Sequence, residues 1–151
     1  MEIIKKIKAV LLTVFREILV YHHSSLEFRA KLIAAMISSS NDINECEEKY
    51  LQEVAKKIYG KDEARVDVLI NTVKEYAYKV IENNGLSIDE LIFEIDKDIK
   101  NVPRFASKIN IDRLKKFMDC TDDKQVKITQ ERILEYLQNE VQNYKNSVKK
   151  R

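Results

Sequence analysis

Glycine and proline are scarce in this chain, which has two glycines and one proline among 151 residues. A β-rich protein needs turn-forming residues between its strands, so this scarcity argues against a sheet. Long apolar runs are missing as well. In the apolar N-terminal segment the longest uncharged stretch, residues 9–15, is far shorter than the roughly 20 residues that span a bilayer. We therefore expect an all-α protein whose N-terminal segment is a soluble amphipathic helix, with contact at a membrane surface as the alternative.

Charge and cysteine content exclude further classes of protein. The formal net charge of +2 is too small to predict nucleic-acid binding. The two cysteines, Cys46 and Cys120, form no CxxC pair, and there are too few Cys and His residues at ligand spacing for a structural zinc site. We expect inert thiols in a cytoplasmic protein, with a disulfide between the two cysteines as the alternative.

Apolar residues at helical spacing predict about seven helices in a single domain, residues 1–151. The second helix is apolar on most sides, which is typical of a buried central helix. The chain ends in a basic tail, "VKKR". Five of the predicted helices cover about residues 3–21, 26–39, 45–59, 111–118 and 130–148. Between them, a long fourth helix is capped by Asp62 and stopped by Gly85, and a fifth is capped by Ser87 and ended by Pro103.

Residues 31–60, "KLIAAMISSSNDINECEEKYLQEVAKKIYG", resemble the TerB-like family of small helical domains. Ile43 and Glu47 occupy two positions of the turn motif of that family, but Ser40 stands at its aspartate position. A second, irregular copy lies in residues 113–137. The resemblance covers about residues 26–145. The family includes tellurite-resistance TerB proteins and the N-terminal domain of certain membrane-linked J-domain co-chaperones.

The resemblance implies a non-enzymatic interaction domain, in a stress-response or envelope-linked system. It also implies that the two acidic turns approach each other, where their oxygens would bind a divalent cation such as calcium. The alternative is that these residues are ordinary helix caps. No cofactor is otherwise predicted. The candidate metal ligands are Ser40, Asp42, Asn44, Glu47, Asp122, Asp123 and Glu131.

Catalytic residues are not evident in the sequence. His22 and His23 are adjacent and point to different sides of a helix, and neither cysteine has a nearby histidine to activate it. Apolar residues in the last helix instead follow an alternating spacing of three and four, which is typical of a coiled-coil seam. We expect a protein partner or self-association there, and no nucleic acid. The candidate partner-binding residues are Tyr136, Leu137, Val141, Tyr144 and Val148.

Overall fold

The computed structural model describes residues 24–149, and every regular element in that range is helical. The predicted helix 3–21 and the last two residues of the basic tail lie outside the described residues. Six α-helices follow in order: α1 (Ser24–Ile37), α2 (Glu45–Tyr59), α3 (Glu63–Ile81), α4 (Ile88–Asn101), α5 (Ile111–Lys115) and α6 (Lys124–Lys149). Two 3-10 helices flank α5: η1 (Pro103–Lys108) and η2 (Lys116–Cys120). The predicted all-α single-domain bundle is confirmed.

Helix α1 lies at the centre of this bundle, as its apolar pattern predicts. Residues 32–38 are buried without interruption. Helices α3, α4, α5 and α6 and both 3-10 helices pack against it. Ala34 and Ala35 are fully buried, so neighbouring helices approach its backbone closely. Each fully buried leucine or isoleucine contributes about 1.5–3 kcal/mol, so α1 supplies much of the stability.

Side-chain caps fix where four of the helices begin. The side-chain oxygens of Asn44, Asp62, Ser87 and Asn110 each accept a hydrogen bond from the amide three residues later, at 2.8, 3.2, 3.1 and 3.0 Å. Each such cap stabilises a helix by about 1 kcal/mol. The caps at Asp62 and Ser87 agree with the sequence pattern. Asn44, one of the candidate metal ligands, is the cap of α2, as the alternative interpretation of these residues as ordinary helix caps predicts.

Left-handed backbone positions end two of the helices. Gly60 follows α2 with φ of 58°, and its amide donates to the carbonyl of Lys56. Helix α3 stops at Ile81, and Asn83 (φ 57°) and Gly85 (φ 84°) make the turn that follows. Both glycines therefore occupy positions where a residue with a Cβ atom would be strained.

The last helix differs from its prediction, because it begins at Lys124 rather than near residue 130. Asp123 makes the earlier start possible: its carboxylate accepts hydrogen bonds from the amides of Gln125 (2.9 Å) and Val126 (3.3 Å). The predicted helix 111–118 is in fact α5 followed by η2. Helix α4 ends just before Pro103, as predicted, and Pro103 opens η1. No helix within residues 24–149 has the length and apolar character needed to cross a membrane.

Buried polar contacts tie distant elements to the central helix. Gln130 of α6 is only 1% exposed, and its side-chain amide donates to the carbonyl of Met36 at 3.1 Å. Lys31 of α1 forms an ion pair with Asp98 of α4 at 2.8 Å. These contacts fix the positions of α4 and α6 relative to α1, and α6 in turn forms one wall of the cleft described below.

Candidate functional site

The two acidic turns meet in the structure. We call residues 40–47 and 119–123 together the turn junction. Cys46 and Cys120 form a disulfide across it, with Cα atoms 5.4 Å apart and a sequence separation of 74. Beside the disulfide, the side-chain amide of Asn44 donates to the carbonyl of Cys120 at 2.9 Å. The prediction of two inert free thiols is therefore wrong, because the fold brings together cysteines that the sequence holds far apart.

Local hydrogen bonds engage the candidate metal ligands of the first turn. The Ser40 hydroxyl lies 3.0 Å from the carbonyl of Ile37 and 2.9 Å from that of Asp42. Asp42 accepts a hydrogen bond from the amide of Ile43 at 2.8 Å. Asn44 and Glu47 form a reciprocal capping box, in which Glu47 accepts from the Asn44 amide at 3.2 Å. Much of the hydrogen-bonding capacity of this turn is thus used in starting α2.

In the second turn, too, a candidate metal ligand caps the helix that follows. Asp123 caps α6, whereas Asp122 and Glu131 are exposed. Within residues 24–149 no three His, Cys, Asp or Glu side chains are grouped so that they could hold a metal ion. The divalent-cation site therefore stays a prediction, and no arrangement of side chains in the described chain supports it.

Glu47 is the one carboxylate of the turn junction that is buried, at 2% exposure. Its burial raises the pKa of the carboxyl group, and the hydrogen bond from the Asn44 amide opposes part of that rise. The cost of burying this charge is offset locally by the capping box. The position is accordingly a structural one, fixed by the first turn of α2.

The predicted partner-binding seam on α6 faces largely into its own bundle. Leu137 is fully buried, and the hydroxyl of Tyr136 donates to Asp96 at 2.7 Å. Val141 and Tyr144 are half-buried, and only Val148 is mostly open, at 53% exposure. Partner binding by the seam stays a prediction. The seam residue that is exposed for it, Val148, lies at the C-terminal end of α6.

A different feature, which we call the basic cleft, opens between α1, α2, η1, α5 and α6. Its cavity volume is about 480 Å³. Four basic residues line it: Arg29, Lys108, Arg113 and Lys145. Eight aliphatic residues form its apolar part: Leu32, Ile33, Val54, Ile58, Ile109, Ile111, Leu114 and Val141. Ser107, Asn110, Asp112 and Gln138 complete the lining.

Helix α5 holds one wall of the basic cleft in place. Asn110 caps this short helix, and the hydroxyl of Tyr50 in α2 donates to the backbone carbonyl of Arg113 at 2.7 Å. The Tyr50 ring also packs edge-on against Phe117, with centroids 4.5 Å apart. These contacts join α5 and η2 to α2, so the wall that carries Arg113 is anchored on two sides.

Arg29 of α1, another residue of the cleft lining, is held by Tyr59 of α2. The guanidinium carbon lies 5.7 Å from the centroid of the Tyr59 ring, and one guanidinium nitrogen lies 3.4 Å from the Tyr59 hydroxyl. A cation over an aromatic face is stabilised by about 0.5–1 kcal/mol or more. Arg29 is thereby restrained beside the cleft before any ligand arrives.

Within the described chain, the cations of the basic cleft lack carboxylate partners. Elsewhere in that range, Lys31, Lys74 and Lys100 form ion pairs at 2.7–2.8 Å. None of the four cleft cations forms an ion pair with any residue from 24 to 149. The described residues that line the cleft thus carry four positive charges and one negative charge, that of Asp112.

Sequence reasoning did not find the basic cleft. Its cations come from α1, η1, α5 and α6 and are spread from residue 29 to residue 145, so no local motif links them. A lone lysine or arginine on a helix is usually a solvated residue. Only the packing of the helices shows that these four share one opening.

Comparison with known proteins adds no relative. The chain matches no protein-family model, and neither the curated proteins nor the solved structures contain a significant match to it. The resemblance to TerB-like domains therefore stays a prediction.

Proposed function

We propose that this chain is a non-enzymatic helical binding domain that receives an anionic ligand in the basic cleft. The observation that supports this proposal is a cavity of about 480 Å³ that is lined by aliphatic residues and by four cations, none of which has a carboxylate partner within residues 24–149. The proposal keeps the interaction class that the TerB-like resemblance implies. The binding surface that it proposes is the basic cleft, which α6 helps to form, and not the seam of α6.

Electrostatics favours this use of the cleft. Like charges held near one another in a concave, partly apolar wall focus their field and raise the local concentration of anions. An anion would relieve the mutual repulsion of the cations and replace the missing carboxylate partners. The cavity volume also falls within the range of about 300–1,000 Å³ that is usual for small-molecule sites.

The lining of the cleft supports binding rather than catalysis. Among the residues that the structure describes, the lining includes no histidine or cysteine, and Ser107 supplies its one hydroxyl group. That hydroxyl donates to the carbonyl of Arg104 at 2.6 Å and has no base beside it. A serine nucleophile needs an adjacent general base, so the lining does not favour acyl transfer.

The disulfide bears on where the domain works. Disulfides persist in oxidising compartments and are rare in the cytoplasm of most cells. The Cys46–Cys120 bond therefore favours an oxidising compartment over the cytoplasmic location expected from the cysteine count. This agrees with the envelope-linked role that the TerB-like resemblance implies.

Titration with the fluorescent anion anilinonaphthalene sulfonate tests the proposal, because this probe combines a charge with an apolar body. The disulfide-intact chain should bind it saturably at one site, and the double variant Lys108→Glu/Lys145→Glu should lose at least tenfold in affinity. The matched control is Lys97→Glu/Lys116→Glu, which changes the net charge equally at exposed positions outside the cleft. Equal binding by the two double variants would rule out the cleft as the site.

A further inference from the structure

We infer that the basic cleft binds single-chain anionic amphiphiles, which have one carboxylate or phosphate head and an aliphatic tail. This inference rests on the proposed function and names its ligand class. Two features of the lining carry it: the presence of two arginines, Arg29 and Arg113, and the aliphatic character of the apolar residues that the structure describes there.

Two half-buried arginines supply donors for the head. A guanidinium group has five N–H donors in a planar fork that matches carboxylate or phosphate oxygens. Arg29 directs one nitrogen to the Tyr59 hydroxyl and makes no other side-chain hydrogen bond within residues 24–149, so most of its donors are open to a ligand. Arg113 of α5 also lines the cleft, and its backbone carbonyl is anchored by Tyr50. A single acidic head in the cleft therefore has guanidinium donors available from two different helices, α1 and α5.

The apolar part of the cleft suits an aliphatic tail. Ile58, Ile111 and Val141 pack against the core yet remain half-exposed, and they flank the more deeply buried Leu32 and Leu114. Within residues 24–149, no aromatic side chain is among those that line the cleft. Sites for nucleobases usually present aromatic rings for stacking. The lining thus favours a flexible hydrocarbon chain over a nucleotide.

A free amphiphile fits this cleft better than a lipid surface does. The apolar floor is recessed, with Leu32 and Leu114 only 2% and 4% exposed. Membrane-surface proteins instead present protruding apolar side chains that enter the acyl region. The cavity volume suits one small molecule whose tail lies inside the protein.

Competition against bound anilinonaphthalene sulfonate tests the inference, using straight-chain carboxylates from acetate to dodecanoate on the disulfide-intact chain. Affinity should rise by up to about tenfold for each two methylenes that become buried, and then level off when the cleft is full. Neutral alcohols of equal length should bind at least tenfold more weakly. Binding of decanoate, of decyl phosphate or of both supports the inference, and binding of neither overturns it.

Matched arginine variants locate the head group. Arg29→Gln should weaken decanoate binding about tenfold or more. Arg104→Gln is the control, because Arg104 also lies over an aromatic ring, 6.0 Å from the centroid of Phe105, but does not line the cleft. Equal losses in the two variants would contradict the assignment. Gln138→Trp, an exposed position on the cleft wall, should block the tail without removing a charge.

The outcomes separate this inference from the proposed function. If short and long carboxylates displace the probe equally, the cleft binds anions but the amphiphile inference fails. If the probe itself does not bind the cleft, both fail. Vesicles of anionic phospholipid form a further arm: sedimentation with vesicles that decanoate does not compete away would overturn the inference in favour of a membrane surface.

Discussion

The turn junction and the basic cleft are both dense in charge, but they use it differently. At the turn junction, Asn44, Glu47 and Asp123 form helix caps, and a disulfide closes the gap between the turns. In the basic cleft, four cations surround an open volume without a carboxylate partner in the described chain. Polar groups that satisfy one another stabilise a fold. Polar groups held near one another and left unsatisfied are available to a ligand.

This difference predicts that changes at the turn junction alter stability, whereas changes in the basic cleft alter binding. The largest effect should come from reducing the disulfide. Because Cys46 and Cys120 are 74 residues apart, the chain-entropy estimate of the loss in unfolding free energy is about 4 kcal/mol.

Urea unfolding with and without a reductant measures this effect. The variant Cys46→Ser/Cys120→Ser should be as unstable as the reduced chain and should not respond to the reductant. An unchanged urea midpoint on reduction of the wild type would show that the junction is held by its other contacts.

The next largest effect should come from Asn44→Ala. This change removes the N-cap of α2, one half of the capping box and the hydrogen bond to Cys120. The expected loss is about 1–2 kcal/mol of unfolding free energy. Asp122→Ala is the control: it changes an exposed residue of the same junction and should stay within about 0.5 kcal/mol of wild type. Similar losses in both would mean that the cap is not the cause.

Glu47 should give a smaller, pH-dependent effect. Because burial raises its pKa in the folded state, the folded chain binds a proton more tightly than the unfolded chain, and stability falls as pH rises above the ordinary value of 4.5. Glu47→Gln never ionises and can still accept the Asn44 amide hydrogen. The stability of wild type relative to this variant should therefore decrease between about pH 4 and about pH 7. Unfolding curves at both pH values check this, and a constant difference would contradict it.

The smallest effect on stability should come from the basic cleft itself. Lys108→Glu/Lys145→Glu changes two exposed residues without ion-pair partners in residues 24–149, so the unfolding free energy should move by no more than about 0.5 kcal/mol per site. A large loss of stability here would show that these lysines support the fold, and it would remove the contrast between the two regions.

The sequence predicted the helices well where the pattern is local. The bounds of α2 match their prediction, and the caps Asp62 and Ser87 can be recognised from residue type and spacing. The start of α6 was misplaced because "TDDKQ" has the composition of a polar loop, although Asp123 uses it to cap a helix. Local chemistry therefore determines most helix ends. The start of a helix is ambiguous where the same residue types can form either a cap or a loop.

The candidate site could not be predicted in the same way. The resemblance to TerB-like domains implied that the two acidic turns approach, and the structure does bring them together. That they are joined by a disulfide depends on the distance between Cys46 and Cys120, which spacing alone does not contain. The basic cleft depends on five elements packing around one opening. Such features exist only after long-range packing, so a pattern along the chain does not show them.

The hydrogen bond between Gln130 and the carbonyl of Met36 has a consequence for how the chain is made. Met36 belongs to the central helix, yet its partner is added 94 residues later. During synthesis, the part of the central helix that α6 covers stays uncovered until α6 has left the ribosome. A nascent chain halted before residue 130 would expose that surface and would be a substrate for chaperones. Completion of this bundle therefore requires the synthesis of α6.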